Sequence, residues 1–131
     1  MYRDDLVFKD ECYLIVGILF KVYKELGGNL LEKHYQKAVA AAFKKAGIDF
    51  VEQYPIKIYF NGKYICTFYA DFLVKINAAE IILEVKKRNN FGEKNIRQVN
   101  DYLKNTGFKL GILGNFTLKG VIYKRIVNVQ N

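Results

Sequence analysis

Two carboxylates and an ammonium group stand out in this sequence: Asp71, Glu84 and Lys86, in a D-x12-E-x-K spacing. That spacing is common by itself, so its meaning depends on the elements that hold it. A chain reversal centred between Asn77 and Ala78 sets Lys75 opposite Glu80, a cross-strand ion pair that supports the register. Followed further along the two strands, the same register sets Asp71 opposite Glu84. Directly opposed residues have Cβ atoms about 4.5–5.5 Å apart, where like charges destabilise each other. A divalent cation reverses that sign, because oxygens of both carboxylates reach a magnesium ion at about 2.0–2.1 Å. Lys86 lies two residues beyond Glu84 and projects from the same face, while Val85 turns to the opposite layer. The expected result is a partly buried cluster amid Leu73, Tyr69 and Ile82, where unpaired charge is expensive. The competing reading puts Glu84 and Lys86 on a solvated edge strand and Asp71 at a turn. The apolar residues from Ile81 to Val85 favour a central strand, and a one-residue bulge would break the pairing.

Other chemistries are pruned by what the sequence lacks. It contains no serine, which excludes a serine nucleophile, and its single histidine, His34, disfavours a multi-histidine zinc site. Cys12 and Cys66 sit in apolar segments without CxxC spacing, which reads as reduced core cysteines and a cytoplasmic compartment. The longest apolar run, Tyr13 to Phe20, is far short of the ~20 residues of a membrane span. Asp4, Asp5, Asp10 and Glu11 crowd the start, unlike a secretory signal.

The elements that position the cluster follow from periodicity. Asp10 is placed to cap a helix from Glu11 to about Leu26, ended by Gly27-Gly28. Asn29 is placed to cap a second helix, from about Leu30 to Ala46, with Gly47 as its stop and an apolar stripe through Leu31, Tyr35, Ala38, Val39 and Ala42. From Phe50 to Val85 the period drops to two, with Pro55 near the start of a strand. Asn61-Gly62 marks a type I′ hairpin that pairs Phe60 with Lys63, Tyr59 with Tyr64 and Ile58 with Ile65. A polar helix from about Gly92 to Asn105, closed by Gly107, precedes strands at Lys109–Gly114 and Val121–Val127. The order ααβββαββ reads as α+β, or mixed α/β, around one central sheet.

Two helical features bear on the cluster. Gln98 and Tyr102 share a face of the polar helix, with Asn95 one turn earlier, beside an apolar stripe of Ile96, Val99 and Leu103. Glu32 sits in the first turn of the second helix, where the helix dipole alone would favour a carboxylate. At 131 residues and 15.2 kDa the chain has room for one domain, residues 1–131. Its 21 Lys and Arg against 13 Asp and Glu leave +8, with a pI near 9.4. That excess argues for a polyanionic partner, solubility being the plainer explanation.

Asp71, then Glu84-Val85-Lys86, then Gln98 to Tyr102 resemble the D…(D/E)xK…QxxxY signature of the RecB-like branch of the PD-(D/E)XK nuclease superfamily. More narrowly, the segment Leu26 to Tyr35 (LGGNLLEKHY) resembles the LGpGllExxY segment of the small GxxExxR proteins. The stretches Tyr69 to Val74, Tyr102 to Gly107 and Asn115-Phe116 follow that family's order. Asn29 stands where its naming motif has glycine. The resemblance runs from about residue 10 to 127. It implies a restriction-endonuclease-like core, a central mixed β-sheet flanked by helices, and metal-dependent cleavage of nucleic acid, DNA first. In that reading Asp71, Glu84 and the Val85 carbonyl hold Mg2+ or Mn2+, and Glu32 reaches the metal directly or through water. Lys86 orients the attacking water, while Gln98 and Tyr102 brace the site and contact the phosphate backbone. Lys87, Arg88, Lys94, Arg97 and Lys104 supply a nucleic-acid groove. Cutting both strands of a duplex with one small site would call for a homodimer, whose interface no segment identifies. The rivals are a non-catalytic nucleic-acid-binding protein and an adaptor whose charged cluster is an ion-paired network.

Overall fold

The computed structural model describes residues 7–90 and 92–128; Asp4 and Asp5, part of the acidic start, lie outside them. Apolar residues Cys12, Ile15, Val16, Leu19 and Val22 fall on one face of α1 (Lys9–Leu26), which buries that stripe against the sheet. Asp10 does not cap this helix. It begins earlier, after Phe8 in a left-handed conformation, so Asp10 and Glu11 lie inside the first turn facing its positive end. The second helix, α2 (Glu32–Ala46), begins two residues later than the Asn29 cap implies. Leu31 is the extended residue before it, and its N–H donates to Nδ1 of His34 at 3.3 Å. Gly47, left-handed at φ 72°, ends the helix as expected.

Five strands form one sheet in the order β1-β2-β3-β4-β5: β1 (Asp49–Phe60), β2 (Lys63–Ile76), β3 (Ala79–Lys87), β4 (Leu110–Thr117) and β5 (Gly120–Val127). Neighbours are antiparallel except β3 and β4, which run parallel and are joined by the crossover helix α3 (Glu93–Thr106). The element order ααβββαββ is the one periodicity gives. Asn61 and Gly62 both take positive φ at the first hairpin, and Phe60↔Lys63 and Tyr59↔Tyr64 pair. The next pair is Ile58↔Cys66 and not Ile58 with Ile65, because a bulge shifts the register there. Pro55 lies mid-strand, where it is tolerated because β1 is an edge with only β2 beside it.

The sheet separates two apolar layers. On one side α1 and α2 cover Phe72, Val74, Ile81, Leu83, Val85, Ile112 and Phe116. On the other, α3 covers Ile56, Ala70, Leu73, Ile82, Leu113 and Ile126. Gly111 lets α3 approach, since a Cβ there would stand 2.5 Å from Val99 Cγ1. Strict alternation fails at one rung. Phe50 and Phe72 face the α1–α2 layer, yet Tyr54 and Ala70 face α3, so both strands change faces between them. Gln53, at φ 50°, and Asp71 occupy that rung, which carries no ladder pairing. Phe68 therefore lies toward α3, ring to ring with Tyr102 at 6.4 Å. Tyr69, expected in the charged cluster, turns to the other face by alternation and is exposed. Among the described residues no helix is long and apolar enough to cross a membrane. Both cysteines are free.

Candidate active site

The β2–β3 ladder runs from Ile76↔Ala79 through Lys75↔Glu80 to Phe72↔Leu83 and stops. At the next position side chains take the place of backbone carbonyls. The Asp71 N–H donates to Glu84 Oε1 at 2.9 Å, and the Val85 N–H donates to Asp71 Oδ2 at 2.8 Å. Each carboxylate thus satisfies the strand opposite it as the strands part. This fixes both side chains without aid from any loop, and leaves Asp71 Oδ1 and Glu84 Oε2 unused by these bonds. Lys86 Nζ stands 3.5 Å from Glu84 Oε2 and is 17% exposed. Asp71 (8% exposed) and Glu84 (2%) are nearly sealed from water.

Such a pair is electrostatically overcharged. Burial first, then repulsion from Asp71, pushes the Glu84 carboxyl up to about 8. Burial also raises Asp71, against the Val85 N–H and the Lys86 ammonium, which favour its ionised form. Tyr102 on α3 feels both carboxylates. Burial and those two charges raise its hydroxyl above the ordinary tyrosine range, and the Gln98 side chain hydrogen-bonds to it. The hydroxyl is therefore a donor at any ordinary pH.

Glu32 reaches the site from the opposite layer. Its Oε1 accepts the Lys87 N–H at 3.1 Å, tying the start of α2 to the end of β3, and its charge is close enough to oppose ionisation of Asp71. Among the described residues no three acidic, histidine or cysteine side chains converge as a metal cage. The two carboxylates are the oxygen donors that meet here; the Val85 carbonyl, next along β3, accepts from Gln36 Nε2 at 3.3 Å. Hard oxygen donors and uncompensated negative charge fit a magnesium or manganese ion.

The segment from Leu26 to Tyr35 explains how Glu32 is held. Gly28 presses on the β4–β5 turn, where a Cβ would lie 2.5 Å from the Thr117 carbonyl oxygen. Tyr23 donates its hydroxyl to the Leu118 carbonyl at 3.0 Å. The Tyr35 hydroxyl donates to the Gly27 carbonyl and accepts the Leu30 N–H, while its ring stacks on Phe116 at 4.3 Å. Asn29 is exposed and takes no positive φ, so this position makes no demand for glycine; the close approach belongs to Gly28.

Two participants were missed by sequence reasoning. Gln36 lies one helical turn after Glu32, a spacing that carried the signal. Asn115, an amide inside the apolar run of β4, pairs in register with Lys86 and is 1% exposed. Its Oδ1 accepts the Arg88 N–H at 2.8 Å, and its Nδ2 has no partner. Of the expected basic groove, Arg88, Lys94, Arg97 and Lys104 are exposed and Lys87 is half-buried.

Comparison with known proteins places this architecture. No curated protein sequence matches the chain. A solved structure, that of SSO0001, superposes with a TM-score of 0.61 at 17% identity, covering 76% of this chain and 52% of that one. The chain thus spans about half the length of that protein. The Holliday junction resolvase Hjc from Archaeoglobus fulgidus superposes with a TM-score of 0.47 at 10% identity, covering 73% of this chain and 71% of that one. The mixed five-stranded sheet with flanking helices is a restriction-endonuclease-like fold. The family match extends over residues 9–126, and by it the chain belongs to the PD-(D/E)XK nuclease superfamily.

Proposed function

We propose that the chain is one nuclease domain, of the GxxExxR kind, that hydrolyses phosphodiester bonds in DNA with Mg2+ or Mn2+. The observation that carries this reading is the meeting of Asp71, Glu84 and Lys86 where β2 and β3 separate. Asp71, Glu84 and the Val85 carbonyl would hold the cation, with Glu32 acting on it through water. The chemistry a cation supplies there is acidification of water and neutralisation of charge on the phosphate. Lys86 keeps an ammonium beside the carboxylates, where it orients the nucleophilic water and stabilises charge developing on the phosphate. Tyr102, held protonated and braced by Gln98, donates to a phosphate oxygen. Lys87, Arg88, Lys94, Arg97 and Lys104 steer the polyanion, each neutralised phosphate adding about −0.9 to the slope of log K against log salt on duplex DNA. Cutting both strands of a duplex in one encounter would call for two such sites, as in a homodimer.

A cleavage assay on labelled DNA, with and without Mg2+, tests the reading. Asp71→Ala is expected to lower turnover at least about 10³-fold, the equivalent of several kcal/mol of charge stabilisation. Cleavage that survives Asp71→Ala, or that ignores a chelator, defeats it. Salt-sensitive binding without cleavage would instead favour the non-catalytic reading.

A further inference from the structure

A groove of about 470 Å³ lies between α3 and the outer half of the β1–β2 hairpin. Gln98 and Tyr102 line it, and Tyr102 feels the charges of Asp71 and Glu84, so the groove lies beside the carboxylate cluster. One wall is apolar: Ile58 and Phe68, the latter 49% exposed and tilted 44° to the Tyr102 ring. The facing wall is cationic, with Lys94 and Arg97 one turn apart on α3. Asp101 and Asn105 add polar groups further along, and the lining stays net positive. Phe68 is in the groove because of the face change at Gln53 and Asp71. Unbroken alternation from Leu73 would have put Tyr69 there instead.

An aromatic wall across from two cations fits a ligand with a flat apolar part and an anionic part. Nucleotides have that composition, and the volume lies within the ~300–1,000 Å³ of small-ligand sites. A base inside a duplex has both faces covered by its neighbours, whereas an unpaired base has a free face and a free edge to bring to Phe68. We propose that this groove takes one unpaired nucleotide of the substrate strand, its base on Phe68 and Ile58 and its phosphate between Lys94 and Arg97. The substrate class is therefore DNA with a single-stranded segment next to the cleaved bond: a single strand, a flap or an overhang. This rests on the nuclease reading above and deepens it.

The test measures binding without turnover, in a chelator, so its outcome is independent of whether Asp71→Ala abolishes cleavage. Anisotropy is read for a short labelled single strand, a blunt duplex of the same sequence, and that duplex with a short overhang. The single strand and the overhang are expected to bind more tightly than the blunt duplex. Phe68→Ala should weaken them roughly 5- to 150-fold, the range for losing one base stack, and leave the blunt duplex unchanged. Phe68→Tyr should restore the preference, since a phenol ring also stacks. Arg97→Ala should reduce the single-strand salt slope by about 0.7. Equal weakening of all three ligands by Phe68→Ala, or no weakening, overturns the proposal. So does sedimentation showing that Phe68→Ala breaks a dimer, because the groove would then be a surface between two copies.

Discussion

Strands β2 and β3 carry two cross-strand pairs of charged residues, and the contrast between them is instructive. Lys75 and Glu80, near the turn, are opposite in sign, exposed, and sit in a regular ladder. Asp71 and Glu84, at the far end, are alike in sign, buried, and stand where the ladder gives way to carboxylate–backbone bonds. One register generates both. The first pair is an ordinary surface contact worth a fraction of a kcal/mol, whereas the second opposes folding unless something positive joins it. Lys86 supplies one positive charge from the side. Among the described residues the other carboxylate has no cation of its own to balance it, although both accept backbone N–H groups.

Experiments can break this contrast, or sharpen it, in descending order of effect. Lys86→Ala should reduce turnover about 10²–10³-fold, the usual loss for one preorganised charge at a reacting centre, with a native far-UV spectrum. Lys75→Ala should leave turnover unchanged. Equal losses from the two would erase the distinction.

Stability against pH is the second measure. The folded protein holds the Glu84 proton more tightly than the unfolded chain, so between the ordinary glutamate range and about 8 the folded state binds more protons. Metal-free stability must then fall as pH rises through that window, by up to about 1.4 kcal/mol per pH unit. Glu84→Gln keeps the oxygen that accepts the Asp71 N–H and removes the titration, so its stability profile should be flatter. A wild-type profile that climbs over this range would contradict the burial argument.

Cation binding comes third. Mn2+ at about 100 times its dissociation constant should stabilise the protein by about 2.7 kcal/mol, read as a shift in melting temperature. The shift should grow toward pH 8, as the competing proton leaves, and vanish in Glu84→Gln. A variant that responds like wild type would place the cation elsewhere. The smallest effect belongs to the surface pair: Glu80→Ala should change stability by no more than about 1 kcal/mol.

The contrast also explains what the sequence could reveal. Convergence of Asp71 and Glu84 was legible because Asn77 and Ala78 fix a tight turn whose register propagates through Lys75 and Glu80. Gln98 and Tyr102 were legible because helical spacing is local. The face change at Gln53 was not, since a left-handed glutamine in a strand answers to packing on two layers at once. Nor was the bulge beyond Tyr59–Tyr64, which no residue type announces. The cap of α2 at Leu31 eluded the pattern for a similar reason. The chain from Gly27 to Leu30 is committed to Tyr35 and the β4–β5 turn, leaving Asn29 outside the helix. Asn115 lay just past the expected end of its strand at Gly114, whereas β4 runs on to Thr117 and buries it with Nδ2 unpartnered.

The contact of Tyr23 with Leu118 spans 95 residues of sequence, while the bonds between Asp71, Glu84 and Val85 span only 13 and 14. Loop-closure entropy favours the short connection first. Closing the acid pair therefore costs less chain entropy than the Glu32–Lys87 bond, which spans 55 residues, and less again than the Tyr23–Leu118 contact that anchors the segment before Glu32.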